Sequence, residues 1–296
     1  MKCAAMIAPL KWHGGKHYLA KKILALAPPH IHYVEPFAGG LHVMLAKDPQ
    51  GTSEVANDLN RQLTNFWNVL SEPELFTRFF RAVQATPFSQ EVYANAAEEL
   101  RTSVSESYSV PGSWLAVCFF IVCRQSLAGR MNGFTGITKT RTRRGMNNEV
   151  SAWLSAVDGL PEVHSRLRRI LITNEDFAKC LRRNDGPNTW FYCDPPYLQD
   201  TRTAPSVYAH KMTLDDHFRL LKVLQTIRGR FALSGYRNDH YDEWARASNW
   251  KRHEFSILRL DEKESAPAAD VEGAYPNSAA GGKSKRVMTE CVWTNY

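Results

Sequence analysis

His32-Tyr33-Val34-Glu35-Pro36-Phe37-Ala38-Gly39-Gly40 is the stretch that decides the fold. The run His32–Phe37 is short, rich in β-branched and aromatic residues, and closes on two glycines, which predicts a buried strand. A helical pattern over Leu41–Ala46 follows it directly. Outward from there the same succession recurs. A strand at Ser53–Ala56 precedes a helical stretch at Leu59–Leu70, whose Leu59, Leu63, Phe66, Trp67 and Leu70 share one face. Further strands are predicted at Ile170–Thr173, Thr189–Cys193, Arg230–Ser234, Arg252–Leu260 and Met288–Trp293, with helices at Leu214–Leu224 and Tyr241–Ala247. Strands alternating with helices imply an open α/β sheet with helices on both faces.

Between residues 73 and 160 that rhythm breaks. Leu75–Val83, Glu91–Leu100 and Ser113–Ser126 carry helical patterns, and a Gly-, Thr- and Arg-rich passage follows. The stretch 73–160 therefore reads as an inserted, mainly helical domain, and 1–72 with 161–296 as the body it interrupts. The polar segment Asp261–Lys285 is too poor in apolar residues to bury much surface and reads as a mobile loop at a hairpin end.

Among 296 residues, 44% are hydrophobic and 23% charged, a composition that supports a buried core. Lysine and arginine outnumber the acids 37 to 30, a formal charge of +7. That sign suits a polyanionic partner, although many basic proteins bind none. The six cysteines are scattered without a Cys-x-x-Cys pair, which favours buried reduced thiols over disulfides or zinc. No other cluster suggests a metal. No signal peptide or long apolar run is visible, and Trp114–Val122 is too short to span a bilayer. The expectation is a soluble cytoplasmic protein, monomeric and away from membranes.

Asp194-Pro195-Pro196-Tyr197 stands directly after the strand Thr189–Cys193, where ligand sites of open α/β sheets lie. Two prolines stiffen the turn, holding an acid and an aromatic ring in fixed relation. A rigid acceptor pair beside an aromatic platform suits a planar base with an amino group; an ordinary Asp-Pro turn is the plainer alternative. The glycines after Phe37 let the backbone approach a ligand closely, or simply make a tight strand-to-helix turn. Asp58, about 20 residues past the glycines, stands where nucleotide-type folds place a ribose-binding acid; capping the next helix is its other role. Lys11-Trp12-His13-Gly14-Gly15-Lys16 is a basic glycine turn able to reach an anionic group, or a plain basic arm.

Taken in order, these motifs resemble the Dam-like (D12 class) family of DNA adenine-N6 methyltransferases. Lys11–Lys16 looks like the family's Lys-Trp-x-Gly-Gly-Lys motif. Glu35–Gly40 looks like its Glu-Pro-Phe-x-Gly-Gly loop, Asn57-Asp58-Leu59-Asn60 like its ribose-binding acid, and Asp194–Tyr197 like its catalytic Asp-Pro-Pro-Tyr. Asn174-Glu175-Asp176-Phe177, Leu233-Ser234-Gly235-Tyr236 and Glu290–Tyr296 are weaker matches. One departure stands out: the family often continues the loop with a third glycine and a serine, where this chain has Leu41 and His42.

The resemblance implies a Rossmann-like S-adenosylmethionine-dependent methyltransferase sheet with a target-recognition insertion. It implies methyl transfer from S-adenosyl-L-methionine, leaving S-adenosyl-L-homocysteine, to N6 of a flipped-out adenine in double-stranded DNA, without a metal. Asp194, Pro195, Pro196 and Tyr197 would be catalytic: Asp194 and the Pro195 carbonyl accept the amine hydrogens and Tyr197 stacks on the base. Trp12, Lys16, Phe37, Gly39, Asp58, Asp176 and Asp194 would hold the cofactor. Between Arg124 and Arg144 lie six basic residues and no acid. Arg124, Arg130, Lys139, Arg141, Arg143 and Arg144, interleaved with Asn132, Gly133, Phe134, Thr135 and Thr138, suit phosphate contacts and base reading; a solvated loop is the alternative. An RNA adenine methyltransferase, or a catalytically silent DNA-binding protein on this scaffold, remain rival readings.

Overall fold

The computed structural model of the chain describes residues 6–103, 112–136, 139–198, 212–260 and 285–296. The expected loop Asp261–Lys285, apart from its last residue, and Thr138 lie outside these residues. Along the chain run β1 (His32–Glu35), β2 (Ser53–Asn57), β3 (Thr142–Arg143), β4 (Met146–Asn147), β5 (Ile170–Thr173), β6 (Thr189–Cys193), β7 (Arg230–Tyr236), β8 (Lys251–Leu260) and β9 (Lys285–Thr294). All but β3 and β4 form one sheet in the order β5-β2-β1-β6-β7-β9-β8. Its first five strands are parallel, and β9 runs antiparallel between β7 and β8. The chain steps outward from β1 to β2 and β5, then crosses to β6 and β7 on the other side. The β1/β6 boundary is therefore the switch point, beside which open α/β sheets place their ligands.

Helices cover both faces of the sheet, and the strands divide their side chains between them. Tyr33, Ala56, Trp190, Tyr192, Ala232 and Val292 belong to one buried cluster. Their chain neighbours Val34, Val55, Phe191, Cys193, Phe231, Leu233, Cys291 and Trp293 belong to another. Successive side chains of a strand point to opposite faces, so a strand covered on both sides reads as an unbroken apolar run. The first face is covered by α1 (Ala20–Leu24), α2 (His42–Ala46), α3 (Arg61–Ser71), α4 (Pro73–Ala85), α5 (Gln90–Thr102), α6 (Ser113–Gln125), α7 (Asn148–Asp158) and α8 (Leu160–Leu167). The second is covered by α9 (Phe177–Arg183), α10 (Leu214–Thr226) and α11 (Asp239–Ala247).

The helices of 73–160 share their buried residues with the first face. Phe66 of α3 meets Phe79 of α4 edge-on and stacks on Phe120 of α6, with ring centroids 5.8 and 5.9 Å apart. The Gly- and Arg-rich passage after α6 contains the hairpin β3–β4, in which Thr142 pairs with Asn147 and Arg143 with Met146. Its turn residues Arg144 and Gly145 both have positive φ, 57° and 75°. A two-residue turn of this hand matches the twist of the strands it joins.

Element ends differ from the expected ones for local reasons. β1 stops at Glu35 because Pro36 has no N–H for the ladder. α3 begins at Arg61, two residues later than its apolar pattern suggests. The Asn60 side chain accepts from Leu63 N at 3.2 Å and caps the helix there.

Candidate active site

A cleft of about 1540 Å³ opens beyond the C-terminal ends of β1, β2, β5, β6 and β7. Its lining includes Trp12, Lys16, Phe37, Gly39, Asp58, Asp176, Asp194, Pro195, Pro196 and Tyr197, so the motifs separated in sequence converge on one cavity. Ligand pockets for one small molecule commonly span roughly 300–1,000 Å³. This cleft has room for two nucleoside-sized groups side by side.

Three charged groups anchor its floor. The Lys16 ammonium, only 4% exposed, lies 3.0 Å from Asp194 Oδ1 and 3.4 Å from Glu290 Oε1, and donates to Gly14 O at 2.7 Å. One hydrogen bond and two ion pairs thus surround the ammonium. Burial disfavours the charged ammonium, but the two carboxylates outweigh it and hold Lys16 above its ordinary pKa. At Asp194 burial pushes the carboxyl up, Lys16 opposes the rise and Glu290 adds to it. Lys16 Nζ also lies 4.8 Å from the centre of the Tyr197 ring, and the Tyr197 hydroxyl donates to Glu290. Tyr236 meets Tyr197 edge-on at 4.8 Å. Behind them Glu35 is fully buried and accepts from Tyr33 Oη at 2.6 Å; burial pushes its carboxyl up to about 8.

The glycine loop is held from three sides. Gly39 has φ +48°, its N–H donates to Asp58 Oδ2 at 3.0 Å, and its carbonyl accepts from the Trp67 indole at 3.1 Å. A Cβ at Gly39 would come within 2.8 Å of the Trp12 indole nitrogen, so Trp12 packs where only glycine leaves room. The other Asp58 oxygen accepts from Asn60 N at 2.9 Å. Asp58 therefore braces the loop, and Asn60, not Asp58, caps α3.

Asn57 ties the next two loops together. It is 1% exposed and donates to Pro36 O at 3.0 Å and Glu175 O at 2.9 Å. Its oxygen accepts from Glu175 N at 3.0 Å and Thr173 Oγ1 at 2.9 Å. That bracket sets Phe37 and Phe177 with their rings 5.3 Å apart on the cleft wall. Asp176 caps α9 through Ala178 N at 2.9 Å and pairs with Arg219 at 2.7 Å, whose guanidinium covers the Phe177 ring at 4.4 Å.

The basic stretch divides. Lys139, Arg141, Arg143 and Arg144 are exposed around the hairpin, as is Asn132, while Arg130 is half-buried and lines the cleft. Arg124 departs from the expectation of a phosphate contact. Its guanidinium turns inward to Ala152 O at 2.6 Å, and burial pulls its pKa down. Arg144 is partly occupied as well, donating to Ser155 Oγ at 2.9 Å with Asp158 at 3.8 Å.

Glu290, Arg219 and His42 were given no role in the site from the sequence, although Glu290 opens a weak family match and His42 marks the departure in the glycine loop. Glu290 left a trace, as a lone acid entering the apolar run Cys291-Val292-Trp293. Arg219 sits on the polar side of an ordinary amphipathic helix and left none.

A mostly parallel sheet with a charged cleft over its switch point places the protein in the class of open α/β folds that bind ligands at that point. The model of the D12 class N6 adenine-specific DNA methyltransferase family matches residues 12–266, and the chain belongs to that family. It is thus an enzyme that methylates adenine in DNA. Methyltransferases of this family generally use S-adenosylmethionine. β9, which carries Glu290, lies beyond the matched residues. A search of curated proteins found no match. Among the described residues no group of His, Cys, Asp or Glu is arranged to hold a metal, and no helix is long and apolar enough to cross a membrane. Cys118, Cys123, Cys180, Cys193 and Cys291 are buried free thiols.

Proposed function

We propose that the protein transfers a methyl group from S-adenosylmethionine to N6 of an adenine flipped out of double-stranded DNA. The observation that carries this reading is the Asp194 carboxylate, set at the end of β6 in a cleft with room for both a cofactor and a base. The donor set suits the cofactor: Asp58 for a ribose diol, Phe37 and Phe177 for a planar ring, and the Trp12–Lys16 turn and Gly39 for the remaining contacts. When bound, S-adenosylmethionine supplies an electrophilic methyl group.

The protein's own task is to make the adenine amine nucleophilic. Its lone pair is delocalised into the ring. Accepting one amine hydrogen on Asp194 and the other on the Pro195 carbonyl favours tetrahedral nitrogen and frees that lone pair. Asp194 need not be a strong base, because the proton can leave after transfer. Most of the acceleration comes from positioning and fixed acceptors. A base stacked in a duplex cannot reach an acid on the floor of a cleft, so the target must be extruded, as is general for DNA methyltransferases. Tyr197 then stacks on it, with Tyr236 bracing the ring. The hairpin β3–β4 with Lys139, Arg141, Arg143 and Arg144 contacts duplex phosphates, and Arg130 and Asn132 sit where base edges are read.

Asp194→Ala tests the chemistry. Formation of N6-methyladenine should fall by about two orders of magnitude or more, the scale of losing a fixed charge-stabilising group. Cofactor affinity by calorimetry should fall less. Near-normal turnover in the folded variant would sink the mechanism.

A further inference from the structure

Burying a carboxylate in the middle of a sheet is costly unless it is paired. Glu290 is 1% exposed, and its neighbours Cys291, Val292 and Trp293 are fully buried. Its partners are Lys16 and the Tyr197 hydroxyl. Both of those residues also face Asp194. We infer that Glu290 is a positioning residue for catalysis: it shares the Lys16 ammonium with Asp194 and anchors Tyr197, which keeps Asp194 negatively charged toward the adenine amine. This rests on the reading of Asp194 as the amine's acceptor.

Alone with Asp194, the Lys16 ammonium would form a neutral pair and cancel the negative charge that makes the carboxylate a strong acceptor for the amine. The second carboxylate, 3.4 Å from the same nitrogen, draws the ammonium into a shared position, and Gly14 O accepts one of its hydrogens. One cation against two acids leaves the group with a net negative charge. Positive charge builds on the amine nitrogen as it accepts the methyl group, and a fixed negative group beside it favours that change. The Tyr197 contact acts on the same event, since it fixes the ring on which the base stacks. Around the trio stand Tyr192 and, further back, Glu35 with Tyr33 and Tyr18 beside Lys16.

Glu290→Gln keeps the size of the side chain and an acceptor for Tyr197 but removes the charge. We expect kcat to fall about tenfold or more, the scale of a lost charge-assisted contact. Calorimetric affinity for S-adenosylmethionine should fall far less than kcat. The acid limb of the kcat–pH profile should move to lower pH, because removing a neighbouring negative charge makes Asp194 easier to ionise. Glu290→Asp, which restores the charge, should recover part of the loss. Should Glu290→Gln fail to fold, Tyr197→Phe carries the test: it keeps the ring, frees Glu290 of one partner, and should lower kcat with cofactor affinity intact. A folded Glu290→Gln with wild-type kcat and an unmoved acid limb overturns the inference, as does wild-type kcat in Tyr197→Phe when that variant carries the test. Asp194→Ala run in parallel separates the two failures. If it is inactive while Glu290→Gln is normal, only the role of Glu290 falls; if it turns over normally, the reading of Asp194 falls first.

Discussion

At the scale of single residues, Leu41 holds the least comfortable backbone beside the site. It precedes α2 with φ 55° and ψ 27°, in the left-handed region, and is fully buried. That conformation costs a side-chain-bearing residue roughly 1–2 kcal/mol. Leu41→Gly would relieve the strain, yet it would also empty a packed site, and truncating a buried leucine costs about 2–5 kcal/mol. The larger effect decides: the variant should be less stable in urea unfolding. A higher midpoint would show that strain outweighs packing there. His42, the next residue, packs against the site's glycines. A Cβ at Gly15 or Gly40 would come within 2.3 or 2.5 Å of the His42 ring. His42 approaches these backbones closely, together with Trp12 at Gly39 and Gly40, so a close approach and a tight turn both call for glycine there. Burial pushes His42 down to about 4, so it packs there as a neutral ring at neutral pH.

At the scale of elements, α8 is locked to β2 by a buried ion pair. Arg166, 7% exposed, meets Glu54, 3% exposed, at 2.5 and 2.8 Å and reaches Met44 O at the end of α2. Arg166→Met strands the Glu54 carboxylate, a loss of about 3–5 kcal/mol when nothing else compensates. Lys47, 3.4 Å from Glu54, compensates in part, so the low end of that range is expected. The double variant Glu54→Leu/Arg166→Met should recover most of the stability, and additive losses in thermal unfolding would argue against a mutually dependent pair. The sheet was legible because strands covered on both faces are unbroken apolar runs such as Trp190-Phe191-Tyr192-Cys193. α7 and α8 were not. α7 opens on an Asn147 cap just after an arginine-rich turn, and α8 spans only 8 residues. In the site, Asp194, Asp58 and the glycine loop announced themselves by stiff or punctuated neighbours. Glu290 did not, because its meaning lies in Lys16 and Tyr197, far away in the chain and close only once β9 pairs with β7.

At the scale of the whole molecule, a formal charge of +7 acquires a location. Lys139, Arg141, Arg143 and Arg144 are exposed on or beside one hairpin, whose two ends are joined by Asn148 N, at the start of α7, donating to Arg141 O at 3.1 Å. Replacing Arg141, Arg143 and Arg144 with Gln should weaken binding to every duplex alike, because phosphate contacts carry no sequence information. Each phosphate neutralised contributes about 0.9 to the slope of log affinity against log salt, so three contacts would flatten it by ~2.7. The structure lowers that expectation. Arg144 already donates to Ser155 and lies near Asp158, and must give up those partners to reach DNA. A flattening nearer ~1.8, two contacts' worth, is therefore expected from titrations at several salt concentrations. Arg124→Gln serves as the contrast: its guanidinium faces Ala152 O, so it should cost stability and leave the salt slope alone. Calorimetric cofactor affinity should be unchanged in the triple variant, since none of the three arginines lines the cleft. If the triple variant keeps the wild-type slope, the hairpin is a solvated ornament and the duplex is held by another face.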